Sequence, residues 1–214
     1  MKLFSYYRSS SAYRVRIALN LKGLDYTIVP VNLLRTEHQS VDYSSLNPQQ
    51  LVPALVLDDG TTLSQSMAIL EWLDQCYPSP ALLPATPVEQ AAVRSVCHSI
   101  ACDMQPLNNM SITAYLKANL RADEDDIHAW YTQWMHRGFT GVETAVRGNG
   151  GLFCFGETAG MADCLLIPQM FNAYRFDVDM SPFPTLERIF EHCNQQDAFI
   201  RAHPSRQPDT PETP

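Results

Sequence analysis

Ten residues in the first half of the chain, "PSPALLPATP" at 78–87, carry four prolines and admit neither a continuous helix nor a central strand. Each proline fixes φ and removes a backbone donor, as suits a linker. Ahead of it, "KLFSYY" at 2–7 and "YTIVPVN" at 26–32 read as short strands. The segment between them, from about Ala12 to Lys22, reads as a helix closed by Gly23, giving a β-α-β unit. "LVPALVLDDGTTLSQS" then offers two strands joined by the turn Asp58-Asp59-Gly60, a hairpin. A helix follows from near Ser66 to Pro78, with Ile69, Leu70, Leu73, Cys76 and Tyr77 as its apolar stripe and Glu71, Asp74 and Gln75 facing away. Behind the linker strand signals vanish and long helical patterns take over, at roughly 87–119, 123–147, 161–174 and 184–202. Pro106 removes a bond from the first and bends it. The expectation is an α/β domain over 1–80 and an all-helical domain over 87–214. The final "PSRQPDTPETP" reads as a tail, disordered or laid along the surface.

Charge narrows the partners. Fifteen Lys and Arg stand against 23 Asp and Glu, a net −8, so a nucleic-acid partner is not expected and any anionic ligand must be held locally. No apolar run is long enough to span a bilayer and "MKLFSYYRSS" lacks the apolar centre of a signal peptide, so no membrane partner and a cytoplasmic location are expected. Six cysteines are scattered without a C-x-x-C pair, which suggests no disulfide framework and no metal site; most read as small buried apolar residues.

The polar feature that calls for chemistry is "YYRSSSAYRVRIALNLKG" at 6–23. Ser9, Ser10 and Ser11 stand where the first strand gives way to the first helix. There hydroxyls, unpaired amides and the positive helix terminus converge, an arrangement that stabilises an oxyanion or a thiolate. Arg8 and Arg14 add charge nearby. A helix needs only one serine as N-cap, and this junction has three. Gln65-Ser66 repeats the pattern at the start of the next helix, where Ser66 taken alone is a plain cap. Val52-Pro53 leads into a strand, and its proline suggests an edge or a turn, with a cis bond as one option, leaving the Val52 backbone available to an extended ligand.

Together these residues carry a resemblance. Strand, S-S-x-x-(aromatic)-R-V-R-I-A-L helix, L-N-P-x-x-x-V-P-x-L, then Q-S at a helix start is similar to the zeta class of glutathione transferases, the maleylacetoacetate isomerase family. "QPLNN", "MADCLLIPQ", "NAYRFDVDMSPFPT" and "HPSRQPDTP" extend the resemblance nearly end to end. It implies a thioredoxin-like N-terminal domain with cis-Pro53, an all-α C-terminal domain, a homodimer, and glutathione as cofactor. It implies that Ser9, with Ser10 and Ser11 beside it, holds the thiolate, that Val52 pairs with the cysteinyl part, and that Gln65 and Ser66 grip the γ-glutamyl end. His38 would lie near the glycine end, and Gln105 and Asn109 would line the pocket from the second domain. Two departures stand out. Ser11 and Tyr13 replace the family's usual cysteine and tryptophan, and Gly160 replaces a Ser or Thr cap before M-A-D, where Asp163 still supplies half a capping box.

The resemblance implies an activity that such a site suits. A thiolate adds reversibly to a cis alkene conjugated to a carbonyl, and rotation about the resulting single bond gives the trans isomer. Arginine forks suit the substrate's carboxylates; Arg8 and Arg175 are the expected ones, although Arg175 read alone is a surface residue with a snorkelling stem. Arg14 and Arg16 read as solvent-facing, and Tyr6 and Tyr7 as pointing to opposite faces of a strand. The substrate expected is maleylacetoacetate, in aromatic amino-acid catabolism. Maleylpyruvate is the alternative; relatives acting on it tend to carry basic residues after the N-N pair, where this chain has Met110 and Ser111. A general glutathione transferase or peroxidase, and a non-catalytic binding module, are the readings from other classes.

Overall fold

β1 (Lys2–Ser5) organises the first unit, because its neighbours pair with it on both sides. β2 (Thr27–Pro30) runs parallel to it, with Lys2 opposite Thr27, and β3 (Ala54–Val56) runs antiparallel, with Phe4 opposite Ala54. β4 (Thr62–Ser64) completes a sheet of order β2-β1-β3-β4. The crossover between the parallel strands is α1 (Ser10–Leu21), as a parallel pair requires. Gly23, at φ +64, closes α1: its amide donates to the Asn20 carbonyl while the Leu24 amide reaches Leu19, a Schellman ending. The hairpin turns at Gly60, φ +87, where Asp59 accepts the Thr61 amide. α2 (Val41–Leu46) is capped by Ser40 and puts Tyr43 against Phe4.

α3 (Ser66–Cys76) buries Ile69, Leu70 and Leu73 as its pattern requires, but Cys76 is exposed and Asp74 does not face away. Asp74 accepts from Lys22 Nζ at 2.7 Å and from the Leu82 amide at 2.7 Å. The Lys22 ammonium, its side chain fully buried, also donates to the Tyr77 and Pro80 carbonyls. A buried cation must have such acceptors, and these tie the start of the proline-rich segment to the end of α1.

The structure is a computed structural model and describes residues 1–148 and 151–211. They form two compact units, 1–82 with 194 onward, and 83–193. In the second unit the first long helical pattern divides. α4 (Pro87–His98), started by a Thr86/Glu89 capping box, passes into a π-helical turn over Ser99–Met104 and a 3-10 turn over Gln105–Asn108, before α5 (Met110–Leu120). Pro106 sits in the 3-10 turn, where its missing donor is tolerated. α6 (Glu124–Arg147) is opened by a second capping box, Asp123/Asp126, and buries Ile127, Tyr131, Met135, Phe139, Val142 and Val146 along one stripe. Gly138 lies within that helix where the Met104 side chain occupies the space a Cβ would take. α7 (Met161–Arg175) is buried for nearly its whole length, and Asp163 accepts the Gly160 amide at 2.8 Å, the expected half box.

The last helical pattern also divides, into α8 (Pro184–Cys193) and α9 (Asp197–Ala202). α9 belongs to the first unit, where Asn20 donates to the Ala198 carbonyl at 2.9 Å. The expected helical domain therefore loses its last stretch to the α/β unit. Residues 204–211 lie along that unit: Pro204 and Gln207 are buried, and Gln207 donates to the Arg201 and His203 carbonyls. The rest of the expected tail lies outside the described residues. Of the six cysteines, Cys97, Cys154, Cys164 and Cys193 are buried, while Cys76 and Cys102 are exposed.

Candidate active site

The serine cluster forms the N-terminus of α1. Ser9 is the N-cap, extended at φ −68 and ψ 116, and its Oγ accepts the Ala12 amide at 3.2 Å. Its own amide donates to the Tyr6 carbonyl at 2.9 Å, which fixes the turn. Ser10 is buried and Ser11 half-buried in the first helical turn, where amides have no intrahelical acceptor and the helix terminus is positive.

Arg8 stands just ahead, its guanidinium carbon 6.0 Å from the Tyr6 ring centre and 5.3 Å from that of Tyr7, with Nη2 donating to the Tyr6 hydroxyl. Its Nε is buried without a hydrogen-bond partner among the described residues. Tyr6 and Tyr7 do not alternate, because β1 ends at Ser5; their rings meet edge to face at 4.8 Å and flank Arg8 together. Burial raises the Tyr7 phenol above its usual 10.0, so it stays protonated and a thiol can hand it no proton.

Arg14 and Arg16 are not solvent-facing. Both are buried, because α1 from Ala12 to Asn20 is enclosed on all sides. Arg14 Nη1 donates to Ser66 Oγ at 3.2 Å, bringing the start of α3 to the side of α1. Arg16 spreads its guanidinium over Ser5 Oγ at 3.0 Å and the Tyr7 and Ala202 carbonyls at 3.0 and 2.9 Å. Desolvation lowers its pKa to about 10, which still leaves it charged at neutral pH. The signal for both was present: "RVRIAL" has no polar face, which marks a helix buried all round rather than one with a solvated stripe.

Gln65 precedes α3 in a backbone conformation that disfavours side chains, φ +70 and ψ 116, and its Nε2 donates to Gln49 Oε1 at 2.8 Å. A non-glycine residue held there is locally strained, a feature that gathers at binding sites. Gln49 carried no sequence signal beyond lying in a turn. The Val52–Pro53 bond is cis. Tyr43 and Asn47 hold the Leu51 carbonyl at 2.6 and 2.7 Å, whereas Val52 makes no backbone hydrogen bond among the described residues. His38 lies in a 3-10 turn (Glu37–Gln39), its Nδ1 buried and unpartnered among the described residues.

The remaining expected residues belong to the second unit. Gln105 opens the 3-10 turn, half-buried, and Trp130 Nε1 holds the neighbouring Leu107 carbonyl at 2.7 Å. Asn109 is the N-cap of α5, its Oδ1 accepting from the Ser111 amide and hydroxyl at 3.0 Å. Arg175 ends α7, exposed, with its guanidinium 4.2 Å from the centre of the Phe176 ring.

Within the first unit, the Arg14–Ser66 hydrogen bond brings together two helix N-termini, and the same unit holds the unpartnered Arg8 Nε and His38 Nδ1 atoms and the unpaired Val52 backbone. Helix N-termini favour an anionic group, and an unpaired extended backbone can pair with a peptide. A four-stranded mixed sheet with a cis-proline ahead of β3 and serines at the first helix, followed by an all-helical unit, defines a glutathione transferase. The Glutathione S-transferase, N-terminal domain family matches residues 8–76. A curated relative, maleylacetoacetate isomerase of Pseudomonas aeruginosa, is 45% identical over 99% of each chain. The holo structure of a maleyl pyruvate isomerase, a bacterial zeta-class enzyme, superposes with TM-score 0.96 at 43% identity, covering 99% of this chain and 100% of that one. A crystal structure of maleylacetoacetate isomerase from Anaeromyxobacter dehalogenans, with bound GSH in the active site, has TM-score 0.88 at 43% identity, covering 98% and 97%. The chain belongs to the zeta-class glutathione transferases, the family of maleylacetoacetate and maleylpyruvate isomerases.

Proposed function

We propose that the protein is a glutathione-dependent cis-trans isomerase of maleyl-keto acids, with maleylacetoacetate as substrate and maleylpyruvate as the alternative. The observation that supports the reading is the α1 N-terminus, where Ser9 is the N-cap and Ser10 and Ser11 lie in the first helical turn. Glutathione, when bound, supplies a thiolate that adds reversibly to the alkene and so permits rotation. The chain's part is to hold that sulfur ionised, which the helix terminus and serine hydroxyls favour by lowering a thiol's pKa. Ser9 is the hydroxyl assigned to the sulfur, with Ser10 and Ser11 in support. Val52 is assigned to the cysteinyl backbone, Gln65 and Ser66 to the γ-glutamyl carboxylate at the α3 terminus, and His38 to the glycine end. Gln105 and Asn109 are assigned to the pocket wall. Arg8 and Arg175 are assigned to the substrate, where guanidinium groups hold carboxylates through rotation and offset charge developing on the keto oxygen.

Relatives named for both substrates lie at similar identity, 45% and 43%, which is why both are kept. A homodimer is proposed from the family resemblance, and a cytoplasmic location is proposed as the default for such a chain; among the described residues no helix is long and apolar enough to cross a membrane. Light scattering on the purified protein checks the dimer.

The deciding experiment mixes the protein with enzymatically generated maleylacetoacetate and maleylpyruvate, with and without glutathione, and follows the ultraviolet absorbance. A glutathione-dependent conversion to the fumaryl product, faster with maleylacetoacetate, is expected. Glutathione binding without conversion of either diacid would leave a transferase or a binding module instead.

A further inference from the structure

Arg175 is the last residue of α7, and everything about that helix end fixes where its guanidinium stands. The Val178 amide donates to the Ala173 carbonyl at 3.0 Å and the Asp177 amide to Tyr174 at 3.1 Å. With Asp177 left-handed at φ +54 and Val178 buried, this is a complete Schellman ending in which aspartate takes the place usually held by glycine. The chain therefore reverses at once and returns Phe176 beneath Arg175.

Phe176 is held from behind. The Tyr131 ring of α6 stacks on it, centroids 4.0 Å apart and planes 24° from parallel. The Arg175 guanidinium carbon lies 4.2 Å from the same centroid. Two groups each about 4 Å from one ring centre cannot share a face of it, so tyrosine, phenylalanine and guanidinium form three layers. His128, one helical turn ahead of Tyr131, adds an anchor at 3.1 Å from its Nδ1 to the Phe176 carbonyl. A carbonyl only accepts, so this nitrogen carries the proton. Eight residues further along α6, His136 Nε2 donates to the Asp179 carbonyl at 2.7 Å and holds the rest of the turn.

From this arrangement we infer that Phe176 and Tyr131 are positioning residues for the substrate carboxylate. Phe176, backed by Tyr131 on its other face, lies against the Arg175 guanidinium, so that the guanidinium and its fork of N–H groups are held in one place. A carboxylate meets a guanidinium edge-on and in plane, so a ring against the face leaves that approach open while removing most of the rotamer freedom of the arginine. The inference rests on the assignment of Arg175 to the substrate.

The test compares R175A, Phe176→Leu and Phe176→Tyr in the full chain, reading KM for the diacid, KM for glutathione, kcat, and competitive inhibition by malonate. F176L removes the aromatic layer and keeps an apolar side chain. It is expected to raise the diacid KM and the malonate inhibition constant about fivefold, the loss of one cation-π contact, while the glutathione KM and kcat change little. F176Y is expected to restore both. Should F176L fail to fold, Phe176→Met, whose unbranched chain packs adaptably, gives the same comparison. An unchanged diacid KM in F176L beside a raised one in R175A would overturn the stacking role and leave Arg175 in place. An unchanged KM in R175A itself would remove Arg175 from the site, and the inference with it.

Discussion

Ser9 has one task observed and one proposed, and a single substitution separates them. Its Oγ caps α1 through the Ala12 amide, and it is the hydroxyl assigned to the thiolate. Ser9→Ala is expected to cost about 1 kcal/mol of stability, the value of an N-cap. It should also lower kcat about a hundredfold, as loss of one preorganised donor does, with the glutathione KM within a few-fold of the parent. Denaturant unfolding and steady-state kinetics read the two effects separately. Full turnover in a folded variant would move the role to Ser10, Ser11 or the amides. At this scale the sequence exposed the serines, because three polar residues at a strand-helix junction exceed what capping needs. Arg14 and Arg16 were legible only through the missing polar face of their helix. A charged side chain by itself reads as solvent-facing, and their acceptors, Ser66 and the Ala202 carbonyl, lie far along the chain.

Between elements, hydrogen bonds that cross from one helix to another decide the ends. Glu143 sits about one turn before the end of α6, and its carboxylate accepts the Thr185 and Leu186 amides at 3.3 and 3.1 Å and so caps α8 from outside. Burial alone would raise its pKa; the hydrogen bonds from Thr185, Leu186 and Arg147 outweigh that and hold it below the ordinary 4.5. The unfolded chain therefore takes up this proton first on acidification. The stabilisation is complete well above pH 4.5 and is lost as pH falls through the lower folded value. Glu143→Gln should reduce stability at neutral pH and flatten the decline below pH 4.5, measured by urea unfolding across pH. A variant as acid-sensitive as the parent would refute this. The helical pattern of 184–202 was legible as helix but not as two helices. Periodicity reports which residues are apolar, whereas the break at 194–196 comes from α9 packing on α1 in the other unit.

Across the whole molecule, the division at the prolines was legible and the assignment of the C-terminal stretch was not. The first unit recovers residues from 194 onward, and its last described part fastens the chain beside the serines: Asp209 Oδ2 accepts the Tyr7 amide at 2.9 Å. A chain ending at Ser205 loses that bond and both Gln207 anchors. It is expected to melt at lower temperature and to exchange the Tyr7 amide faster, with Asp209→Asn intermediate, as thermal scans and hydrogen exchange would show. Equal protection of Tyr7 in the shortened chain would mean that the segment only covers the surface.

The interleaving of the units also sets an order in time. A ribosome emits the sheet and α1–α3 first, then the whole of 83–193, and only afterwards the α9 carbonyl that the Arg16 guanidinium requires. The helical unit can therefore complete its burial while the earlier-made half still waits with a cation short of an acceptor, inverting the usual N-to-C sequence of domain completion. Force measurements on arrested nascent chains should place the final folding event of the first unit after Ala202 has emerged, and not after Leu82.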